Sequence, residues 1–307
     1  MAYLASDPRS QLAASTEPDA DAALDPQYFA FDELAPTETT GHGGRLWTVR
    51  AANVAVVYAE HADGDVLDRE DTDETMLVVL PSAGRLTLRT AQGEAVTVAP
   101  TSIATVRPGP WRYEVEGALR LLRLHTTATS DVLDRALNAD AYADGLGLSV
   151  RATPWPAPAG DAAIRVYEAI EDIAPQEGRM GRIFRSRHAM ANVLYPRVGP
   201  RDPRTLSPHT HDDFEQLSFV DAGEYVHHIR RAWGNDRTAW RADEHHRIGG
   251  PSLTVIPPPL VHTSEAVGAG ENRMIDIFAG PRDDFSRRPG WVLNAEDYPA
   301  PRREELQ

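Results

Sequence analysis

Across residues 45–124 short apolar runs alternate with turn-forming residues. Runs fall at 46–49 (Leu-Trp-Thr-Val), 54–58 (Val-Ala-Val-Val-Tyr), 76–80 (Met-Leu-Val-Val-Leu), 85–89, 95–98 and 119–124, with Gly, Pro, Asp and Ser between them. A spacing of roughly ten residues between such runs predicts an all-β sandwich or barrel. The rhythm resumes over 182–278, with runs at 188–195, 216–220, 224–229, 253–256 and 274–278. A second barrel is therefore expected, and the two regions form a loose tandem repeat of strand pattern.

The remaining segments read differently. Residues 1–40, rich in Ala, Asp, Pro, Ser and Thr, lack periodicity and predict a lead-in that is partly disordered or draped over a neighbouring surface. Residues 126–138 carry a helical rhythm with Ser130 as a plausible N-cap. A Pro/Ala/Gly stretch at 153–160 marks a linker, and 161–174 predict a second helix with Ala163, Val166, Tyr167, Ile170 and Ala174 on its apolar face. The tail carries Trp291 and Tyr298 as anchors for wrapping across a barrel or a partner subunit. The expected organisation is thus a lead-in (1–40), a first barrel (41–125), a connector (126–175), a second barrel (176–280) and a tail (281–307).

Composition narrows the possible functions. A chain of 307 residues fits about two domains and buries a core without staples. The absence of cysteine excludes disulfides, thiolate metal ligands and cysteine nucleophiles. A net charge of -15 disfavours nucleic-acid and anionic-membrane partners, because the long-range field repels phosphate. The N-terminus lacks a basic region followed by a long apolar run, and no apolar stretch approaches membrane-spanning length. A soluble cytoplasmic protein is the expectation.

The candidate chemistry lies at 207–216 (Ser-Pro-His-Thr-His-Asp-Asp-Phe-Glu-Gln) and 256–262 (Ile-Pro-Pro-Pro-Leu-Val-His). In an extended segment alternate side chains share a face, so His209 and His211 present two imidazoles together. His262, a turn beyond an apolar run stopped by three prolines, is the best-placed third ligand. Because adjacent strand residues face opposite sides, only one of Glu215 and Gln216 can meet the same ion.

These two stretches resemble the signature motifs of the cupin superfamily. The first runs His209-x-His211, then Glu215-Gln216, then Gly223; the second runs Pro257-x-Pro259-x-x-His262. Pro259 stands where glycine is usual, and Ala266 where asparagine is usual. The resemblance covers 182–278 by motif and 45–124 by strand pattern. It implies a bicupin, two tandem double-stranded β-helix (jelly-roll) barrels with a few short helices. It also implies a metal held by His209, His211, His262 and Gln216, whose spacing to His211 and Gly223 matches the family's fourth ligand; Glu215 is the alternative. The first barrel resembles a cupin without a site: Leu67-Asp-Arg69-Glu-Asp-Thr-Asp replaces His-x-His, and Arg112 stands at the second-motif histidine position.

For function, the resemblance implies a metal-dependent enzyme acting on a small, anionic organic molecule. A non-haem Fe(II)-type dioxygenase is the first reading, with Fe as the ion and Zn, Ni, Mn or Cu as alternatives. The second is a redox-neutral lyase, isomerase or cyclase. The third is a non-catalytic module that binds a small molecule or metal. His228 is the candidate general acid or base from the pairs His227-His228 and His245-His246. Arg230 and Trp233 are candidates for substrate binding, with Arg231, Arg237 and Trp240 nearby. A homodimer formed through barrel faces is the assembly the resemblance implies.

Overall fold

The computed structural model describes residues 24–143, 155–234 and 236–301. Two barrels stand back to back, each made of a large and a small antiparallel sheet. In the first, a seven-stranded sheet faces a four-stranded one; in the second, a seven-stranded sheet faces a three-stranded one. Among the described residues no helix is long and apolar enough to cross a membrane.

Strand alternation decides which side chains enter a barrel and which enter the seam. On Gln216–Ala222, Leu217 and Phe219 pack into a core shared by both barrels, where Phe219 meets Tyr58 and Phe31 from the N-terminal half. On Leu119–Thr126, Leu122 and Leu124 enter the same seam, whereas Leu119 and Leu121 pack inside the first barrel with Leu77, Val79, Trp111 and Tyr113. The seam is thus a continuous apolar layer between two strand surfaces, which fixes the barrels against each other.

Several segments differ from the sequence expectation. Within residues 24–40 two short strands join the sheets: Gln27–Ala30 pairs with Ser252–Ile256 of the second barrel, and Glu38–Thr39 with Arg45–Arg50 of the first. Residues 1–23 lie outside the described residues.

The helix expected at 126–138 contracts to Ser130–Leu133, followed by a 3₁₀ turn at Ala139–Tyr142. Its N-cap is Thr129 rather than Ser130, and no side chain caps it. The helix expected at 161–174 does not form. Ile164–Tyr167 is instead a strand paired with Ser102–Val106, and only Ile170–Asp172 makes a 3₁₀ turn. Ile164 and Val166 enter the first barrel while Tyr167 faces the seam. The apolar positions fit either period over so short a run, and the open edge of Ser102–Val106 selects the strand. Of the 153–160 linker, 153 and 154 lie outside the described residues. The tail adds a short helix, Asp283–Ser286, and carries Tyr298 across to the first barrel, where its hydroxyl donates to Glu74.

Candidate metal centre

His209 and His211 lie on an extended segment joined to the small sheet by a single bridge rather than as a full strand. His209 N–H donates to His262 O at 3.0 Å and His262 N–H returns to His209 O at 2.8 Å. Pro208, which has no N–H to donate, precedes the bridge. His262 sits on Val261–Ala266. The bridge places the three imidazoles together, with one candidate ligand nitrogen from each lying within 4.8 Å of the others.

Local hydrogen bonds fix the ring orientations. His209 Nδ1 lies 3.0 Å from Ser207 O and His262 Nδ1 lies 2.9 Å from Leu260 O. Carbonyls accept only, so both Nδ1 atoms carry the proton and both Nε2 atoms are left as lone-pair donors to an ion.

Gln216, the first residue of Gln216–Ala222, turns its Oε1 to the same point. Oε1 is 3.0 Å from His211 Nε2 and 3.2 Å from His262 Nε2. Its amide group donates to Ser218 Oγ and to Asp276 Oδ1, each at 3.1 Å, and Ser218 Oγ donates to the same Asp276 oxygen at 2.8 Å. This network holds the amide with its oxygen, not its nitrogen, toward the imidazoles. Three imidazole nitrogens and one amide oxygen, with no carboxylate among them, suit a divalent transition ion.

Glu215 faces the other way. Its carboxylate is buried in the seam, accepting from Tyr142 OH at 2.8 Å and from the backbone N–H of Ala52. Burial pushes its pKa up, although these two donors pull it down.

His228 lies on the outer face of Glu224–Arg230, bonded to His245 at 2.7 Å and to Glu265 at 2.9 Å. The pairing of Ile229 with His262 puts odd-numbered residues of that strand on the triad's face, so the inward histidine is His227. His227 is wholly buried, with Nδ1 at 2.9 Å from Ser264 Oγ and Nε2 without a partner. Burial, with smaller contributions from neighbouring histidines, lowers its pKa to about 3. Arg230 is likewise on the outer face, paired with Asp243, and Trp233 is 74% exposed, stacked on Trp240 at 4.7 Å. Neither joins the triad.

Sequence reasoning missed Asp276 and Ser218, and of the pair His227-His228 it chose His228 where the inward residue is His227. A lone aspartate in the apolar run 274–278 was the available signal for Asp276.

The first barrel shows what replaces a metal site. Trp111 pairs with Arg69 as His262 pairs with His209, and Thr75 begins its strand as Gln216 does. Arg69 and Asp71 therefore occupy the His-x-His positions. Their side chains pair at 2.7 Å, and Asp71 Oδ2 accepts from Trp111 Nε1 at 3.0 Å and Thr75 Oγ1 at 2.7 Å. An internal ion pair fills the place of the ion. Trp111, not Arg112, is the counterpart of the second-motif histidine. Arg112 is one residue out of phase and lies outside, paired with Asp68 and Glu114.

No protein-family model matches the chain, and no curated protein matches it. Solved structures do. The oxalate decarboxylase of Lactobacillus farciminis, in its formate complex, aligns over 91% of this chain and 90% of its own at 14% identity and a TM-score of 0.53. AerE from Microcystis aeruginosa aligns over 85% and 100% at 9% identity, also with a TM-score of 0.53. A cupin 2 conserved barrel domain protein from Leptotrichia buccalis aligns over 82% and 96% at 10% identity with a TM-score of 0.47.

The chain shares the overall fold of the first two of these structures, two tandem all-β barrels of the cupin type. The two halves differ in their interiors: the C-terminal barrel gathers three histidines and a glutamine, and the N-terminal barrel closes the corresponding position with Arg69 and Asp71.

Proposed function

We propose that the second barrel is a metal-dependent catalytic centre that performs redox-neutral chemistry, of the lyase or isomerase type, on a small carboxylate. The reading rests on the convergence of His209, His211, His262 and Gln216 Oε1 on one point with no carboxylate among them. A divalent transition ion held by these four keeps its full positive charge and acts as a Lewis acid toward an anionic oxygen.

The chain's own residues supply the rest. Asp276 and Ser218 hold the Gln216 amide in its ligating orientation. Thr254 and Ser252 present hydroxyls without partners to the same interior, offering hydrogen bonds to a polar substrate. His227, neutral and with a free Nε2, is placed to accept or return a proton from that interior. Phe214 and Phe278 flank His211 at 4.4 and 6.0 Å and make an apolar wall that limits water. One similar structure is an oxalate decarboxylase, whose name states a carboxylate substrate; that agrees with the charge argument without carrying it.

The same three imidazoles beside an apolar wall also fit a non-haem Fe(II) dioxygenase. Turnover of a panel of small carboxylates, assayed with and without oxygen, separates the two. Product formed equally under anaerobic conditions supports the redox-neutral reading. Strict oxygen dependence with iron replaces it by the dioxygenase.

A further inference from the structure

Arg123, on Leu119–Thr126, is 4% exposed and points into the first barrel, on the same side of its strand as Leu119 and Leu121. Among the described residues no carboxylate pairs with it, and its Nε is buried without a hydrogen-bond partner. Of the interior carboxylates, Asp71 serves Arg69, Thr75 and Trp111, and Asp65 Oδ2 serves His61 and the Ala62 N–H; Asp65 Oδ1 is also buried without a partner, but it makes no ion pair with Arg123. A buried guanidinium left in this state is costly unless an anion answers it.

Two more polar atoms facing the same interior lack partners: His125 Nε2, two residues along the strand from Arg123, and Thr90 Oγ1, opposite Trp111. His125 Nδ1 lies 3.5 Å from Asp71 Oδ2, which already accepts from Thr75. A carboxylate oxygen accepts only, so the proton sits on Nδ1 and Nε2 presents a lone pair. Burial pushes the His125 pKa down and keeps the ring neutral. Arg123 thus offers an unused Nε donor and its charge, and His125, two residues along the strand, offers an acceptor.

We propose that the first barrel, which has no imidazole triad, binds a small hydroxycarboxylate. The ligand's carboxylate is received by Arg123, and its hydroxyl donates to His125 Nε2, with Thr90 Oγ1 as a further contact. This site is separate from the metal centre and does not depend on the catalysis proposed there.

Equilibrium dialysis of the full chain with radiolabelled glycolate tests the proposal. In His209→Ala, where the metal centre is disabled, about one glycolate site per chain is expected to remain, and Arg123→Met in that background is expected to remove it. No bound glycolate in His209→Ala, or unchanged binding after Arg123→Met, overturns the proposal. Should Arg123→Met fail to fold, His125→Phe is expected to weaken binding about tenfold, the loss of one hydrogen bond to a ligand. Unchanged affinity in that variant also overturns it.

Discussion

Glu74 and Glu215 occupy the same place in the two barrels, and each accepts a backbone N–H from the other barrel and a tyrosine hydroxyl from outside both. Glu74 precedes the strand Thr75–Val79 and accepts from Arg187 N–H at 2.9 Å and Tyr298 OH at 2.6 Å. Glu215 precedes Gln216–Ala222 and accepts from Ala52 N–H and Tyr142 OH. Ala52 and Arg187 lie in matching turns between paired strands, so a pseudo-two-fold relation runs through the seam. Burial raises the pKa of both carboxyls, and the two donors at each site oppose that shift.

This relation separates structural from metal-binding roles in adjacent residues. Glu215→Ala leaves Ala52 N–H and Tyr142 OH unpaired and is expected to cost about 2–4 kcal/mol of stability. Metal content should be unchanged. Denaturant unfolding together with elemental analysis checks both; metal loss without destabilisation would assign Glu215 to the ion.

In the proposed centre Asp276 orients Gln216, whose amide donates to Asp276 Oδ1 at 3.1 Å. Asp276→Ala frees the Gln216 amide to turn and is expected to weaken metal binding about 10–100-fold. Competition with a chelator of known affinity measures the change.

Proton transfer should depend on His227 and not on His228. Turnover in His227→Gln is expected to fall about 10²–10⁴-fold. His228→Gln, altered on the outer face, should stay near wild type. Steady-state kinetics on an identified carboxylate substrate distinguish the two.

The extent to which this was legible in the sequence depends on what is local. His-x-His and the proline-stopped run before His262 are local patterns, so the triad can be named before its geometry is known. The choice of Gln216 over Glu215 needs the seam, because only the partner barrel shows where the carboxylate goes. The choice of His227 over His228 needs the Ile229–His262 register, since strand parity is relative to a partner. Motif spacing sets the first barrel's site one residue out of phase for a related reason. The Pro-Gly-Pro of 108–110 suggests a turn, although Trp111, Tyr113 and Val115 alternate as an inward strand face within Gly109–Glu116. The strand at Ile164–Tyr167 is hidden because its apolar spacing also fits a helix.

Acid should weaken the fold in two stages. His61 and His125 are buried in the first barrel, and burial lowers both below the ordinary value of 6.5. The unfolded chain then binds more protons than the native one below that value, so stability falls as pH drops, by about 1.4 kcal/mol per pH unit for each histidine. Asp71 adds a second stage. Burial alone would raise its pKa, but His125, Thr75 and Arg69 outweigh it and hold the carboxyl well below its usual 3.8. Its contribution is present above that value and is lost as pH falls further. Thermal unfolding of wild type against His125→Gln between pH 7 and 5 checks the first stage, where the variant should show the shallower slope.

The central claim, one metal centre confined to the second barrel, is tested most directly by the metal content of protein purified without an affinity tag or added metal, measured beside His262→Ala and Asp71→Ala. About one transition ion per chain is predicted in the wild type and in Asp71→Ala, and none in His262→Ala. Two ions per chain, or an ion retained in His262→Ala, would contradict it.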